Sequence, residues 1–135
     1  MIHLTPEQRV FVMERHVATL TTLRPDGSPH VTPVAFGWDA DSGTAWMTSD
    51  EGSAKVRNID AGARGPSGPR GALCQVSGGR WITLEGRLSV SREPDDIAEA
   101  ERRYATRYGP IDPDPKRVAM LLVADKVLGS SYMTR

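Results

Sequence analysis

The stretch Gly52-Ser53-Ala54-Lys55-Val56-Arg57-Asn58 is the part of this 135-residue chain best suited to hold a ligand. A Gly-Ser opening to a helix leaves backbone N–H groups without intrahelical acceptors and adds a hydroxyl donor. Lys55 and Arg57 place positive charge in the first turns, where the helix dipole is also positive. Those groups suit a phosphate. They equally suit an ordinary capped helix with a solvated basic face. The surroundings strengthen the first reading: from Gly52 to Arg87 the bases are Lys55, Arg57, Arg64, Arg70, Arg80 and Arg87, against only Asp60 and Glu85. From Glu93 to Glu101 the charges are all acidic: Glu93, Asp95, Asp96, Glu99 and Glu101, read as a solvated helix face. The formal net charge of zero, 17 Lys+Arg against 17 Asp+Glu, is therefore a sum of opposed blocks. A basic middle in a neutral chain suits a small polyanion better than a long nucleic acid. Trp81, beside Arg80, has the character of a cover for a planar ring; it also reads as a half-buried strand tryptophan.

Other chemistries have little foothold. The single Cys74 and the scattered His3, His16 and His30 lack the paired spacing of a metal site, so no metal is expected. Cys74 reads as a buried small residue in a strand. His30 is the histidine best placed for a site, just after a turn. There is no GxSxG, Walker A or GxGxxG pattern. One cysteine excludes an intrachain disulfide and points to a reducing, cytoplasmic setting. No signal peptide is visible, and the apolar runs, such as Val118 to Ala124, fall far short of a membrane span.

The elements that must position these residues follow from local pattern. Thr5-Pro6-Glu7-Gln8 predicts a capped helix covering one end of a sheet. Val17 to Leu23, Pro29 to Trp38 and Thr44 to Thr48 alternate as strands separated by the turns Arg24–Ser28 and Asp39–Gly43, a three-strand meander. Pro29 and Pro33 lack amide donors, so their strand needs an edge, a bulge or unpaired N–H positions there. Gly52 to Ile59 reads as a short helix with Ser53 or Asp50 near its start, and Gly62 to Gly71 as a mobile loop. Strands resume at Ala72 to Val76 and Arg80 to Ser91 around Ser77-Gly78-Gly79. Glu93 to Tyr108 reads as a helix, with Ile97, Ala100, Tyr104 and Tyr108 on one face, and Lys116 to Leu128 as a final strand. The sum is one domain over residues 1–135: a mainly β, six-stranded antiparallel barrel with about three flanking helices.

Several segments resemble a known family. Leu20-Thr21-Thr22-Leu23-Arg24-Pro25-Asp26-Gly27-Ser28-Pro29-His30-Val31-Thr32-Pro33-Val34 is similar to the opening hairpin of the pyridoxamine-phosphate-oxidase-like split β-barrel family. Gly52-Ser53-x-Lys55-x-x-Asn58 resembles its phosphate-contacting helix, and Arg80-Trp81-Ile82-Thr83-Leu84-Glu85-Gly86-Arg87 a following strand. Glu101-x-Arg103-Tyr104-Ala105-x-Arg107-Tyr108, Pro113-x-Pro115-x-Arg117-Val118 and Val127-Leu128-Gly129-Ser130 resemble the branch that depends on the deazaflavin coenzyme F420, its biliverdin reductases above all. The Gly62–Gly71 loop looks longer than theirs.

The resemblance implies a split barrel of the FMN- or F420-binding type, paired as a homodimer with cofactor at the subunit interface. It implies that Ser53, Lys55 and Asn58 hold the cofactor's phosphate, that Arg57 faces its acidic tail, and that His30, Thr32, Pro33 and Val34 lie along the ring. Trp81 would reach the site, from the partner subunit if need be. Arg64, Arg70 and Arg80 are candidates for substrate carboxylates. The implied activity is hydride transfer from reduced F420 to a conjugated acceptor such as biliverdin or a related tetrapyrrole. The cofactor would carry the difficult chemistry, so no side chain is assigned to the chemical step. The alternatives are an FMN-dependent oxidoreductase of the same fold and a non-catalytic protein that binds F420, flavin or a haem-like ligand.

Overall fold

The computed structural model describes residues 2–66 and 68–133. Helix α1 (Pro6–Phe11) opens on a capping box: Gln8 N donates to the Thr5 hydroxyl, and Thr5 N to the Gln8 side chain. Strands β1 (Ala18–Leu23) and β2 (Pro29–Val34) form a hairpin, and β3 (Gly37–Asp39) pairs with β4 (Thr44–Asp50). Then come α2 (Ala54–Ala63), β5 (Arg70–Ser77), β6 (Arg80–Ser91), α3 (Pro94–Tyr108), β7 (Arg117–Gly129) and a short 3-10 turn at Ser131–Met133.

All pairings are antiparallel, in the order β2-β1-β5-β6-β7-β4-β3. The strands at opposite ends of that order are joined by Ala35 and Phe36 alone. Three Cα steps reach about 11 Å, whereas the edges of a flat seven-stranded sheet stand roughly 29 Å apart. The sheet must therefore curl until its edges meet, and the result is a barrel. Its interior holds Leu20, Phe36, Met47, Leu73, Ile82, Leu84, Met120 and Leu122, all nearly inaccessible to solvent. Phe11 and Val12 of α1 and its exit close one end.

The barrel has seven strands where the sequence pattern predicts six. The expected strand from Pro29 to Trp38 breaks at Ala35-Phe36, and its two halves go to opposite edges, so the three-strand meander does not form. Local alternation is blind to this, because both halves alternate correctly. The two prolines do sit on an edge strand, where a missing N–H costs no ladder bond. The expected loop from Gly62 to Gly71 shrinks to 64–69: α2 continues through Ala63 and β5 begins at Arg70. Leu88 N donates to Pro69 O at 2.9 Å, which pins the end of this loop to β6. Cys74 is half-buried rather than buried, on the outer face of β5.

Helix α3 locks the closure. Arg107 donates to Phe36 O at 2.7 Å, to the Gln75 side chain at 2.7 Å and to Glu14 O at 2.9 Å through Nε. Its guanidinium also lies 4.3 Å from the centre of the Phe36 ring. The Tyr108 hydroxyl donates to His16 O at 2.8 Å. Arg103 lies against Gly37, where an added Cβ would come within 2.7 Å of the Arg103 Cβ. Burial disfavours the charged form of Arg107, and three carbonyl groups compensate it. Ala100 is buried on the inward face, with Ile97, Tyr104 and Tyr108 half-buried. The acids of α3 are not simply solvated: Glu99 pairs with Arg102 and Arg103, Glu101 with Arg117, and Asp96 accepts from Ser91.

Arg107→Ala removes a shared donor from carbonyl groups of three segments at once, although Glu14 O keeps its 2.9 Å bond from His16 N, so a loss of about 3 kcal/mol is expected in urea unfolding. Arg107→Lys keeps the charge without the planar fork and should recover only part of it.

Candidate functional site

The β4–α2 junction is built to present a helix start. Gly52 has φ +89°, a left-handed conformation that turns the chain between Asp50 and Ser53. Ser53 is the N-cap: its hydroxyl accepts from Val56 N at 3.3 Å and shares a 2.9 Å hydrogen bond with the Ser49 hydroxyl. The N–H groups of Ala54 and Lys55 have no acceptor within the helix. Arg57 folds back to donate to Gly52 O at 2.5 Å, bracing the turn. Lys55 is half-buried and is engaged by no carboxylate among the described residues.

Asn58 faces the other way. It is buried, and its amide donates to the Thr22 hydroxyl at 3.0 Å. Thr22 is the register partner of His30, so one hydrogen bond ties α2 to the hairpin that carries the candidate strand. On β2, His30, Thr32 and Val34 share the inner face, while Pro33 is exposed on the outer one. Among the described residues, three buried side-chain atoms lack a hydrogen-bond partner, and two are on this strand: His30 Nδ1 and Thr32 Oγ1. Buried polar atoms are seldom left unpaired, so two on one strand face mark a place where a further polar group belongs.

A cavity of about 320 Å³ lies between the β1–β2 turn, α2 and the loop that follows it. Thr22 and Asn58 form its polar corner; Leu23, Pro25, Ile59, Pro69 and Leu88 give it apolar walls. Thr22, Leu23, Arg24 and Pro25 were not singled out as site residues by the sequence pattern, although they stand in the family-like hairpin. Their signal was contiguity with His30, which becomes adjacency to α2 only on folding.

The basic stretch does not form one surface. Arg57 and Arg64 flank a shallow recess beside Pro25 and Asp60 on α2. Arg70 lines the cavity but is held by Asp125 through two 2.7 Å bonds. Arg80 stands apart from α2: it grips both oxygens of Glu14 at 2.9 and 3.0 Å and lies over the Phe11 ring. Those bonds hold the Glu14 carboxyl below its ordinary range. Trp81 is 36% exposed on the outer face. It is seven residues along β6 from Leu88, about 23 Å in an extended strand, so within one chain it does not meet α2.

A family model described as pyridoxamine 5'-phosphate oxidase matches residues 4–129. The chain belongs to the pyridoxamine 5'-phosphate oxidase family. Within that family it is 41% identical, over 128 residues, to the F420H(2)-dependent biliverdin reductase of Mycobacterium tuberculosis, covering 95% of this chain and 89% of that protein. Solved structures share the family's fold at lower identity. A conserved hypothetical protein of Mycobacterium tuberculosis superposes with a TM-score of 0.77 at 23% identity, over 96% of this chain and 86% of that one. An F420 reductase gives 0.70 at 21%, over 89% and 94%. The family match spans both halves of the candidate site, the β1–β2 hairpin and the α2 start.

Thr22→Val removes the acceptor of a buried amide and should cost about 1–3 kcal/mol in urea unfolding. Replacing both partners, as in Thr22→Val with Asn58→Leu, should be milder than the single change.

Proposed function

We propose that this protein is an F420-dependent reductase that passes hydride from the reduced cofactor to a conjugated acceptor, biliverdin or a related tetrapyrrole. The observation that carries the reading is the meeting of two features through the Thr22–Asn58 bond. One is a helix start with N–H groups free of intrahelical acceptors and with Lys55, which no carboxylate among the described residues engages; the other is a strand with two buried polar atoms unpartnered among the described residues. The 41% identical relative bears the name of this activity.

The residues fit such a cofactor. Its phosphate would be held by the N–H groups of Ala54 and Lys55 and by the Lys55 ammonium, with Ser53 fixing the turn and Arg57 and Arg64 toward an acidic tail. Its ring would lie along His30, Thr32 and Val34, where His30 Nδ1 and Thr32 Oγ1 gain the hydrogen bonds they lack. When bound, reduced F420 supplies the hydride. The protein's share is orientation: β2, held by β1 on one side and by the Ala35-Phe36 connection at its end, fixes the ring against the acceptor.

The reading includes a second copy of the chain. Leu23, Val31, Val76, Trp81 and Leu128 are exposed on the one outer sheet face shared by β1, β2, β5, β6 and β7. Val76, its register partner Trp81 and Leu128 form an exposed apolar patch at one end of that face, which suits burial against a partner. A twofold copy also gives Trp81 a route to the ligand on the other subunit, which its own chain denies it.

Titration with F420 and with FMN, followed by fluorescence or absorbance, tests the cofactor. F420 should bind, and Lys55→Ala should weaken it about tenfold. FMN binding without F420 binding overturns the assignment. Loss of the biliverdin band with reduced F420 tests the activity; ligand binding without turnover would indicate a binding protein instead. For the dimer, Val76→Glu should halve the mass seen by light scattering and lower F420 affinity. A wild-type monomer would remove the interface.

A further inference from the structure

Arg92 lies between β6 and α3 and belongs to neither. Its guanidinium forks onto both oxygens of Glu51, Nε to Oε2 and Nη2 to Oε1, each at 2.7 Å. The same Nη2 reaches Asp60 Oδ2 at 2.8 Å. Glu51 stands two residues before the Ser53 cap, and Asp60 is on α2 itself. Glu51 N is also tied to Lys116 O at 2.7 Å. One side chain thus joins the turn before α2, the body of α2 and the start of α3.

All three partners are substantially exposed, with side chains 38% to 48% accessible. Ion pairs so placed add little to folding stability. Their effect on local potential is another matter. Glu51 and Asp60 are carboxylates close to the helix start proposed to take a phosphate, within about a Debye length of it. Unpaired, they would oppose an anion there and offset Lys55 and Arg57. Arg92 holds the Glu51 carboxyl in its charged form, below the ordinary range, and cancels it in place.

We propose that Arg92 is a positioning residue for the cofactor's anionic end: it orients the turn before α2 and offsets one of the two negative charges that Glu51 and Asp60 place beside it. This rests on the cofactor reading above. Nothing in the basic Gly52–Arg87 stretch discloses it, since Arg92 lies outside that block.

The test is F420 affinity, measured by fluorescence titration at low and high salt. Arg92→Ala should weaken binding about threefold to tenfold at low salt and less at high salt. R92K should retain more affinity than R92A. The triple variant E51Q/D60N/R92A, which removes two negative charges and one positive, should bind at least as tightly as wild type. The double variant E51Q/D60N, with Arg92 intact, should bind more tightly than wild type even if R92A fails to fold. Wild-type affinity in R92A alongside weakened Lys55→Ala overturns the role of Arg92 and leaves the cofactor reading standing. A triple variant as weak as R92A, or a double variant no tighter than wild type, also overturns it. Unchanged affinity in Lys55→Ala instead removes the phosphate assignment at α2 on which the proposal rests.

Discussion

The connection of Ala35 and Phe36 is the constraint on which the rest of the molecule depends. Two residues join strands that lie at opposite ends of the sheet order, so every other strand must curve to let them meet. Such a join exposes backbone carbonyls that no ladder can use, and a buried carbonyl without a donor is costly. Arg107 resolves this by donating to Phe36 O while also engaging Glu14 O and Gln75. The α1 exit, the barrel seam and β5 therefore share one guanidinium. A planar five-donor group can meet acceptors from three segments at once, which a lysine cannot.

The candidate site inherits its geometry from that closure. β2 is an edge strand, paired only with β1, and its inner face carries His30 and Thr32 with polar atoms unmatched inside the chain. Helix α2 leans on the same hairpin through Asn58 and Thr22. The charges follow a similar economy. Arg70 and Arg80 are held by Asp125 and Glu14, distant in sequence, while the cations on α2 have no carboxylate partner among the described residues. What looks in the sequence like one basic block is sorted by folding into structural pairs and a smaller cationic group at the α2 start.

Much of this was legible beforehand. The Thr5 cap, a helix opening at Ser53 or Asp50, the hairpins and the need of Pro29 and Pro33 for an edge, a bulge or unpaired N–H positions all follow from local chemistry; the structure takes Ser53 as the cap and the edge for the prolines. The strand count, the meander and the extent of the Gly62–Gly71 loop did not follow. In each case the deciding partner is remote: Arg107 and Tyr108 for Phe36, and Leu88 and Arg87 for the residues after α2. The solvated face expected for the acids of α3 holds for Glu93 and Asp95, which are exposed, but not for Glu101, which meets Arg117 across the connector.

By itself the sequence determined element types, caps and turns, and through its motifs the family, because these depend on neighbours within a few residues. The tertiary structure alone decided that the chain closes into a seven-stranded barrel, which charges are cancelled, and that Thr22 joins the site. It also separated Trp81 from α2 within one chain. Those outcomes turn on hydrogen bonds and ion pairs between residues far apart in sequence, such as Arg107 with Phe36 and Arg92 with Glu51. Nothing in the residue types fixes which donor finds which acceptor until the backbone has brought them together.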